Sequence, residues 1–110
     1  MILTYSTGKL QRLCEDEREM KRRRSDIEKK LRLRINALRT SETIEELVKN
    51  DPLGKWHRLT EDRLGQWSGS VSPNERIIIQ PMSNGVKIIG IEEEQHANEV
   101  QIVEITDYHN

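Results

Sequence analysis

Apolar positions recur every three or four residues along the first half of the chain, and this spacing predicts helices. Leu10, Leu13 and Cys14 predict a first helix over about residues 9–20. The apolar segment at residues 2–5 precedes it and is typical of a short edge strand. The first half is therefore expected to form a helical layer with one apolar side.

Two further helices follow in the pattern. Ser25 and Glu28 have the spacing of a capping box, in which the two side chains satisfy backbone N–H groups at a helix start. The apolar stripe of this second helix, which runs to about residue 39, consists of Ile27, Leu31, Arg34, Ile35 and Leu38, with Leu33 off it. Ser41 is the predicted N-cap of a short third helix, which carries Ile44, Leu47 and Val48.

From residue 55 onward the pattern changes to alternation, which predicts strands. The predicted strands cover residues 56–59, 66–71, 76–80, 86–91 and 100–106. Turn signals separate several of them, and the polar segment 92–99 is predicted to be a loop. The sum is a single α+β domain over residues 1–110, with N-terminal helices packed on one face of a small antiparallel sheet of about four strands.

Alternation also predicts which strand residues face the helices. Those expected to face the helices are Ile77, Ile79, Val103 and Ile105. Those expected on the open face are Arg76, Gln80, Glu104, Thr106 and Tyr108. Ile78 and Ile102 also fall on the open face, where a loop or a partner protein has to cover them. An open face that displays arginine and tyrosine is suited to a polyanion.

Composition narrows the class of protein. Apolar and charged residues each make up 34% of 110 residues, which predicts one small water-soluble domain. No apolar run approaches the ~20 residues that span a bilayer, and no signal peptide is apparent, so a cytoplasmic protein without membrane contact is expected. Cys14 is the single cysteine and cannot form an internal disulfide. The three histidines lie far apart, so neither a metal site nor a cofactor is predicted.

The net charge of −1 conceals an asymmetry between the two halves of the chain. Residues 1–65 carry 16 Lys and Arg against 12 Asp and Glu, whereas residues 66–110 carry 2 against 7. The basic half offers phosphate contacts, but the whole chain is not a strongly basic nucleic-acid binder. We interpret the charged run at residues 15–24 as a solvated helix end in preference to an RNA-binding patch.

Two segments resemble the motifs of a known family. Residues 55–68, KWHRLTEDRLGQWS, resemble the K-x-H-x-L-x-G-D-R-x-G-x-W-S signature of HigB-type toxins, the plasmid maintenance system killer group of the RelE/ParE superfamily. Residues 76–77 occupy the place of the family's W-R-I strand, and VEITDYH at residues 103–109 resembles its C-terminal VEIVDYH. The opening strand with Gly8-Lys9-Leu10, and the helix with IEEL at residues 44–47, also fit. The resemblance covers most of the chain in order.

The resemblance implies the toxin of a type II toxin-antitoxin pair with a RelE-like, microbial RNase-like fold. It implies an endoribonuclease that cleaves mRNA on the 70S ribosome and is silenced by a HigA-like helix-turn-helix antitoxin. The implied chemistry needs no metal ion. A base removes the 2′-OH proton, the oxygen attacks phosphorus, and the products are a 2′,3′-cyclic phosphate and a 5′-hydroxyl.

The residues that match the family's catalytic positions are His57, Arg76, Asp107, Tyr108 and His109. His57 is suited to act as base or acid because imidazole titrates near neutral pH. Arg76 is suited to stabilise the transition-state phosphate, and Tyr108 to orient or protonate RNA or to stack on a base. The expected RNA phosphate contacts are Lys55, Arg58 and Arg63.

Simpler interpretations stay open for each of these residues. His57 can be a partly buried polar residue beside Trp56, because alternation places it on the same side as Leu59. Arg76 can form a surface ion pair with Glu75 or Glu104, and Tyr108 can anchor the C-terminus. Trp67 is assigned to the core.

The chain departs from the family at Thr60 and Glu61, where the family has lysine and glycine. The change removes a positive charge and adds a negative one beside the expected site, which should lower both RNA affinity and its salt dependence. Two alternatives from other functional classes therefore remain. One is a ParE-like inhibitor that binds DNA gyrase, and the other is a non-catalytic relative that binds an antitoxin.

Overall fold

The computed structural model describes residues 1–107, which contain five α-helices and six strands. The helices are α1 (Gly8–Glu15), α2 (Glu17–Arg23), α3 (Glu28–Thr40), α4 (Ile44–Asn50) and α5 (Ile91–Gln95). The strands are β1 (Ile2–Tyr5), β2 (His57–Arg58), β3 (Trp67–Ser70), β4 (Arg76–Ser83), β5 (Val86–Lys87) and β6 (Glu99–Thr106). None of the helices in this part of the chain has the length and apolar character needed to cross a membrane.

The strands form one sheet in the order β1-β6-β4-β3-β2, and β5 pairs with the end of β4. Strand β1 runs parallel to β6, while the other pairs are antiparallel. The predicted α+β class is confirmed, but the sheet is larger than predicted and mixed, because the N-terminal strand joins it beside the C-terminal one. The core lies between the helices and one face of the sheet.

In the helical half, the N-termini of three helices differ from the prediction. The expected first helix is two helices, because the Asp16 carboxylate accepts bonds from the N–H groups of Arg18 and Glu19 and begins α2. The prediction of a capping box at Ser25 and Glu28 is wrong, since α3 begins without a side-chain cap. The N-cap of α4 is Thr43 and not Ser41, which instead ends α3. The stripe expected on α3 is buried as predicted, and Leu33 is exposed.

The predicted facing of β6 is wrong in part because the strand contains a β-bulge. Ile78 pairs with Glu104 while Ile79 pairs with Ile102, so Val103 is an extra residue between them. The bulge reverses the alternation, and both Ile102 and Ile105 therefore lie on the helical side. Ile77 and Ile79 face the helices as predicted.

The segment predicted as a loop at residues 92–99 instead forms α5 and the start of β6. Its polarity is misleading, because Glu94 is completely buried while its neighbours Glu92 and Glu93 are exposed. The predicted strand at residues 86–91 is shorter in the structure, where β5 ends at Lys87 and α5 begins at Ile91.

The Glu94 carboxylate joins three elements through four hydrogen bonds. Arg58 on β2 donates from Nε at 2.7 Å and from a terminal nitrogen at 2.8 Å, one bond to each oxygen. Trp67 on β3 donates its indole N–H at 2.9 Å, and the backbone N–H of Gly90 donates at 2.7 Å. Burial opposes ionisation, but these bonds outweigh it and lower the pKa of Glu94.

A second carboxylate, that of the partly buried Asp51, repeats this arrangement on the same side of the sheet. Asp51 accepts the indole N–H of Trp56 at 2.9 Å, and its oxygen lies 3.2 Å from Nε of the buried Arg34. The Trp56 ring packs on Gly69 so closely that a Cβ there would lie 2.5 Å from a ring carbon. These contacts position the start of β2 against α3 and β3.

We predict that Glu94→Gln destabilises the fold by about 3 kcal/mol, as expected when one partner of a buried ion pair is removed. Each carboxylate oxygen of Glu94 accepts two hydrogen bonds. In either orientation of the glutamine amide, its NH₂ group would therefore face two N–H donors and could accept neither bond. Urea unfolding measures the effect, and Glu93→Gln, an exposed neighbour in the same helix turn, is the control. Equal midpoints for the two variants would contradict this role of Glu94.

The same ion pair predicts a dependence of stability on pH. Because the pKa of Glu94 is lowered from its ordinary 4.5, the unfolded chain binds its proton more readily than the folded chain does. The stabilisation is therefore complete above about pH 4.5 and is lost as the pH falls below it. The wild type should lose more stability than Glu94→Gln between pH 5 and pH 3, measured by urea titration at each pH.

Candidate functional site

The sheet face that points away from the helices, here called the outer face, carries two rows of residues. Opposed residues in neighbouring strands share a face, so the pairings define the rows. The first row contains His57, Ser68, Ile78 and Glu104, in strand order β2-β3-β4-β6. The second row contains Ser70, Arg76 and Thr106. The structure thus brings His57 and Arg76 to one surface.

The segment of residues 59–66 lies over part of the outer face. Its ends are joined by a bond from the Leu59 N–H to the Gln66 carbonyl at 2.8 Å. Arg63 donates to the Glu104 carboxylate at 2.8 Å, so the segment and the Arg63 side chain together extend over β3 and β4 to β6. Ile78 is therefore completely buried, and a loop of the chain itself provides the cover that the sequence required.

Arg76 is oriented by uncharged oxygen atoms. One terminal nitrogen of its guanidinium donates to the carbonyls of Ser72 at 2.9 Å and Glu75 at 3.1 Å, and lies 3.5 Å from the Ser70 hydroxyl. The expected alternative, an ion pair with Glu75 or Glu104, does not form, because those carboxylates pair with Arg24 and Arg63. Within residues 1–107 the other two guanidinium nitrogens of Arg76 have no partner, so they remain available to an anion.

His57 is exposed on β2, in contrast to the partly buried alternative. Leu59 is buried as expected, but on the outer face, where the rest of the segment 59–66 covers it. Alternation places His57 on the same face as Leu59, and there His57 lies at the edge of the covering segment. The ring Nδ1 lies 3.0 Å from the Lys55 carbonyl. A carbonyl only accepts, so the neutral ring carries its proton on Nδ1 and its lone pair on Nε2. In residues 1–107 nothing bonds to Nε2.

The three expected phosphate contacts lie in different places. Lys55 is exposed beside His57, in a left-handed backbone conformation with φ of 47°. Arg63 lies over the outer face, bonded to Gln66 and Glu104. Arg58 points to the helical side, where its bonds to Glu94 raise its pKa. The structure therefore places Lys55 and Arg63, but not Arg58, beside the candidate site.

The chain end approaches the site through β6. Thr106 pairs with Arg76, and Asp107 follows it as an exposed residue. Tyr108 and His109 lie outside the described residues. The path of β6 therefore leads residue 107 to the end of the sheet where Arg76 lies.

The arrangement suits chemistry on a phosphate group. Two strand spacings and two residues separate the Cα atoms of His57 and Arg76, which corresponds to about 12 Å. An arginine and a histidine that extend toward each other from this separation can contact one phosphodiester between them. His57 supplies a lone pair at Nε2 for proton transfer, and Arg76 supplies a permanent positive charge.

Other chemistries have less support in the described part of the chain. No three His, Cys, Asp or Glu side chains converge there to hold a metal ion. Burial raises the pKa of the Cys14 thiol to about 12, so it is not a nucleophile at neutral pH.

Sequence reasoning missed the Glu94 carboxylate, which holds β2 from the helical side, and the Arg63–Glu104 pair on the outer face. Glu94 lies within a run of three glutamates that look alike in the sequence. Arg63 and Glu104 are 41 residues apart, so no local pattern connects them. Only the packing of α5 and the loop distinguishes these residues from their neighbours.

No protein-family model matches the sequence, and no curated protein matches it. Among solved structures the chain is similar to a YoeB/ParE toxin from Agrobacterium tumefaciens, with a TM-score of 0.57 over 99% of this chain and 100% of that chain. The two sequences are 15% identical, so the similarity concerns the fold alone. In architecture, this chain has the α+β fold of the RelE/YoeB-like toxins.

Proposed function

We propose that this protein is the toxin of a type II toxin-antitoxin pair and acts as a ribosome-dependent mRNA endoribonuclease of the HigB type. The observation that carries the proposal is the outer face, where an exposed histidine with a free Nε2 and an arginine with free donors lie on neighbouring rows. The toxin-like fold and the motif resemblance support it.

The proposed mechanism assigns each residue a role in metal-independent cleavage. His57 accepts the 2′-OH proton through Nε2, the 2′-oxygen attacks phosphorus, and Arg76 stabilises the additional negative charge. One side chain among the C-terminal residues Asp107, Tyr108 and His109 donates the single proton that the departing 5′-oxygen requires. The products are a 2′,3′-cyclic phosphate and a 5′-hydroxyl.

The proposal also implies partners and a location. The substrate is mRNA on the 70S ribosome in the cytoplasm. The ribosome holds the message in place, which compensates for the net charge of −1 of the toxin. A HigA-like antitoxin with a helix-turn-helix motif silences the toxin. Lys55 and Arg63 contact RNA phosphates beside the reacting group.

The proposed mechanism predicts separate effects of His57 and Arg76 on cleavage. Induced expression of the wild type should arrest growth and produce new mRNA 5′ ends within translated reading frames. His57→Ala and Arg76→Ala should each lower the rate of ribosome-dependent cleavage at least ~100-fold, because each removes a group that acts in the transition state. Mapping of 5′ ends and cleavage of a defined message on purified ribosomes measure the loss.

Matched controls separate chemistry from folding. His96→Ala removes an exposed histidine whose Nδ1 also lies near a backbone carbonyl, at 2.9 Å, and Arg22→Ala removes an exposed arginine on α2. Both should cleave like the wild type. Growth arrest with intact mRNA would overturn the nuclease and favour gyrase inhibition, and the absence of arrest would favour a non-catalytic antitoxin-binding protein.

Glu61 occupies the position at which the HigB motif has glycine, and its backbone retains a conformation that favours glycine. Its φ is 59°, in the left-handed region, whereas the next residue, Asp62, is not left-handed. A non-glycine residue there costs roughly 1–2 kcal/mol. Both carboxylates are exposed in the segment that lies over the outer face, where they oppose the approach of RNA.

A pair of glycine variants separates the effect of this strain from the effect of the charge. Glu61→Gly should raise the free energy of unfolding by about 0.5 to 1 kcal/mol, because relief of strain exceeds the added entropy of the unfolded chain. Asp62→Gly removes the same charge without relieving strain and should lower stability. Urea midpoints measure this difference, and cleavage assays at two salt concentrations should show faster cleavage by both variants. A Glu61→Gly variant less stable than the wild type would contradict the inference that the backbone at Glu61 is strained.

A further inference from the structure

Three exposed aliphatic side chains lie on two segments that contact each other, the turn before β3 and the chain from the end of β5 to the start of α5; His57 and Arg76 lie on neither segment. Leu64, Ile89 and Ile91 are 47%, 64% and 55% exposed. The turn that carries Leu64 contacts the segment after β5, since a Cβ on Gly65 would lie 3.4 Å from Ile89. We call these three residues the edge patch. Clustered apolar side chains of this kind on a small domain mark an interaction surface.

Acidic side chains border the edge patch. The Glu93 carboxylate lies over Gly90, between Ile89 and Ile91, since a Cβ on Gly90 would be 2.6 Å from one of its oxygens. Glu92 follows Ile91 on α5, and Asp62 precedes Leu64 by two residues, both exposed. Lys87 is a nearby exposed base, while the guanidinium of Arg58 is bonded to Glu94. The border is therefore mainly negative.

This charge distinguishes among the possible occupants. RNA phosphates and anionic lipids are repelled by the acidic border. A second copy related by two-fold symmetry would place this acidic border against itself, which costs binding free energy. A protein segment with apolar side chains flanked by lysines or arginines fits both the patch and its border.

We infer that the edge patch is a docking surface for a partner protein segment that presents aliphatic side chains flanked by basic ones. Ile89 and Ile91 bury against the aliphatic side chains, while Glu92, Glu93 and Asp62 pair with the basic ones. The patch is separate from the proposed catalytic residues, so this inference does not depend on the nuclease reaction. Within the proposed function, the partner that presents such a segment is the antitoxin.

Two synthetic peptides of equal length test the inference, one alternating leucine and lysine and the other alternating leucine and glutamate. The lysine peptide should bind the full-length protein, with an affinity that falls as salt is added, and the glutamate peptide should not bind. Ile89→Asp should weaken binding of the lysine peptide about tenfold, and Glu93→Lys should weaken it by a similar factor. Isothermal titration calorimetry measures both.

Matched variants identify the surface. Leu33→Asp changes an aliphatic residue of similar exposure, 56%, on α3, and Glu45→Lys reverses an exposed charge in the first turn of α4, as Glu93→Lys does in α5. Neither should change peptide binding. Equal weakening by the control and patch variants would overturn the inference, since binding would then reflect overall charge.

Two further outcomes would also overturn the inference. Sedimentation that shows a wild-type dimer converted to monomer by Ile89→Asp would assign the patch to a second copy. Loss of RNA cleavage in Ile89→Asp with unchanged peptide binding would assign it to the substrate. The peptide assay detects no catalysis, so its failure and the failure of the nuclease proposal are distinguishable.

Discussion

The ion pair between Glu94 and Arg58 is the interaction on which the geometry of the candidate site depends. It fastens β2, a strand of two residues, to α5, and Trp67 adds β3 to the same carboxylate. Alternation along β2 then requires His57 to point to the opposite face. Arg58 is thus held on the helical side by a buried charge, and His57 reaches the outer face because of it.

A buried charge is a costly way to join elements, and the fold uses it twice. Asp51 with Arg34 and Trp56 repeats the combination of carboxylate, guanidinium and indole. Desolvation offsets much of the attraction in such pairs, so their main effect is to penalise alternative arrangements in which one partner is left alone. Such a penalty is useful where β2 has only two backbone pairings to define its register.

The outer face and the edge patch divide the molecule into surfaces of different chemistry. Positive charge from Arg76 and Lys55 lies at the outer face, while the acidic residues of α5 lie beside the edge patch. The segment of residues 59–66 connects them, since it carries Arg63 over the outer face and Leu64 toward the edge patch. A partner at the edge patch would therefore contact the same segment that limits access to His57.

The sequence by itself determined the class of fold, the helical stripe of Ile27, Leu31, Ile35 and Leu38, and the positions of the main strands, because periodicity reflects which side of an element is buried. It also placed Arg76 on the outer face, since alternation holds along a regular strand. It did not reveal the bulge at Val103, the burial of Glu94 or the partner of Arg58. These depend on contacts between residues far apart in the chain, which only the tertiary structure decided.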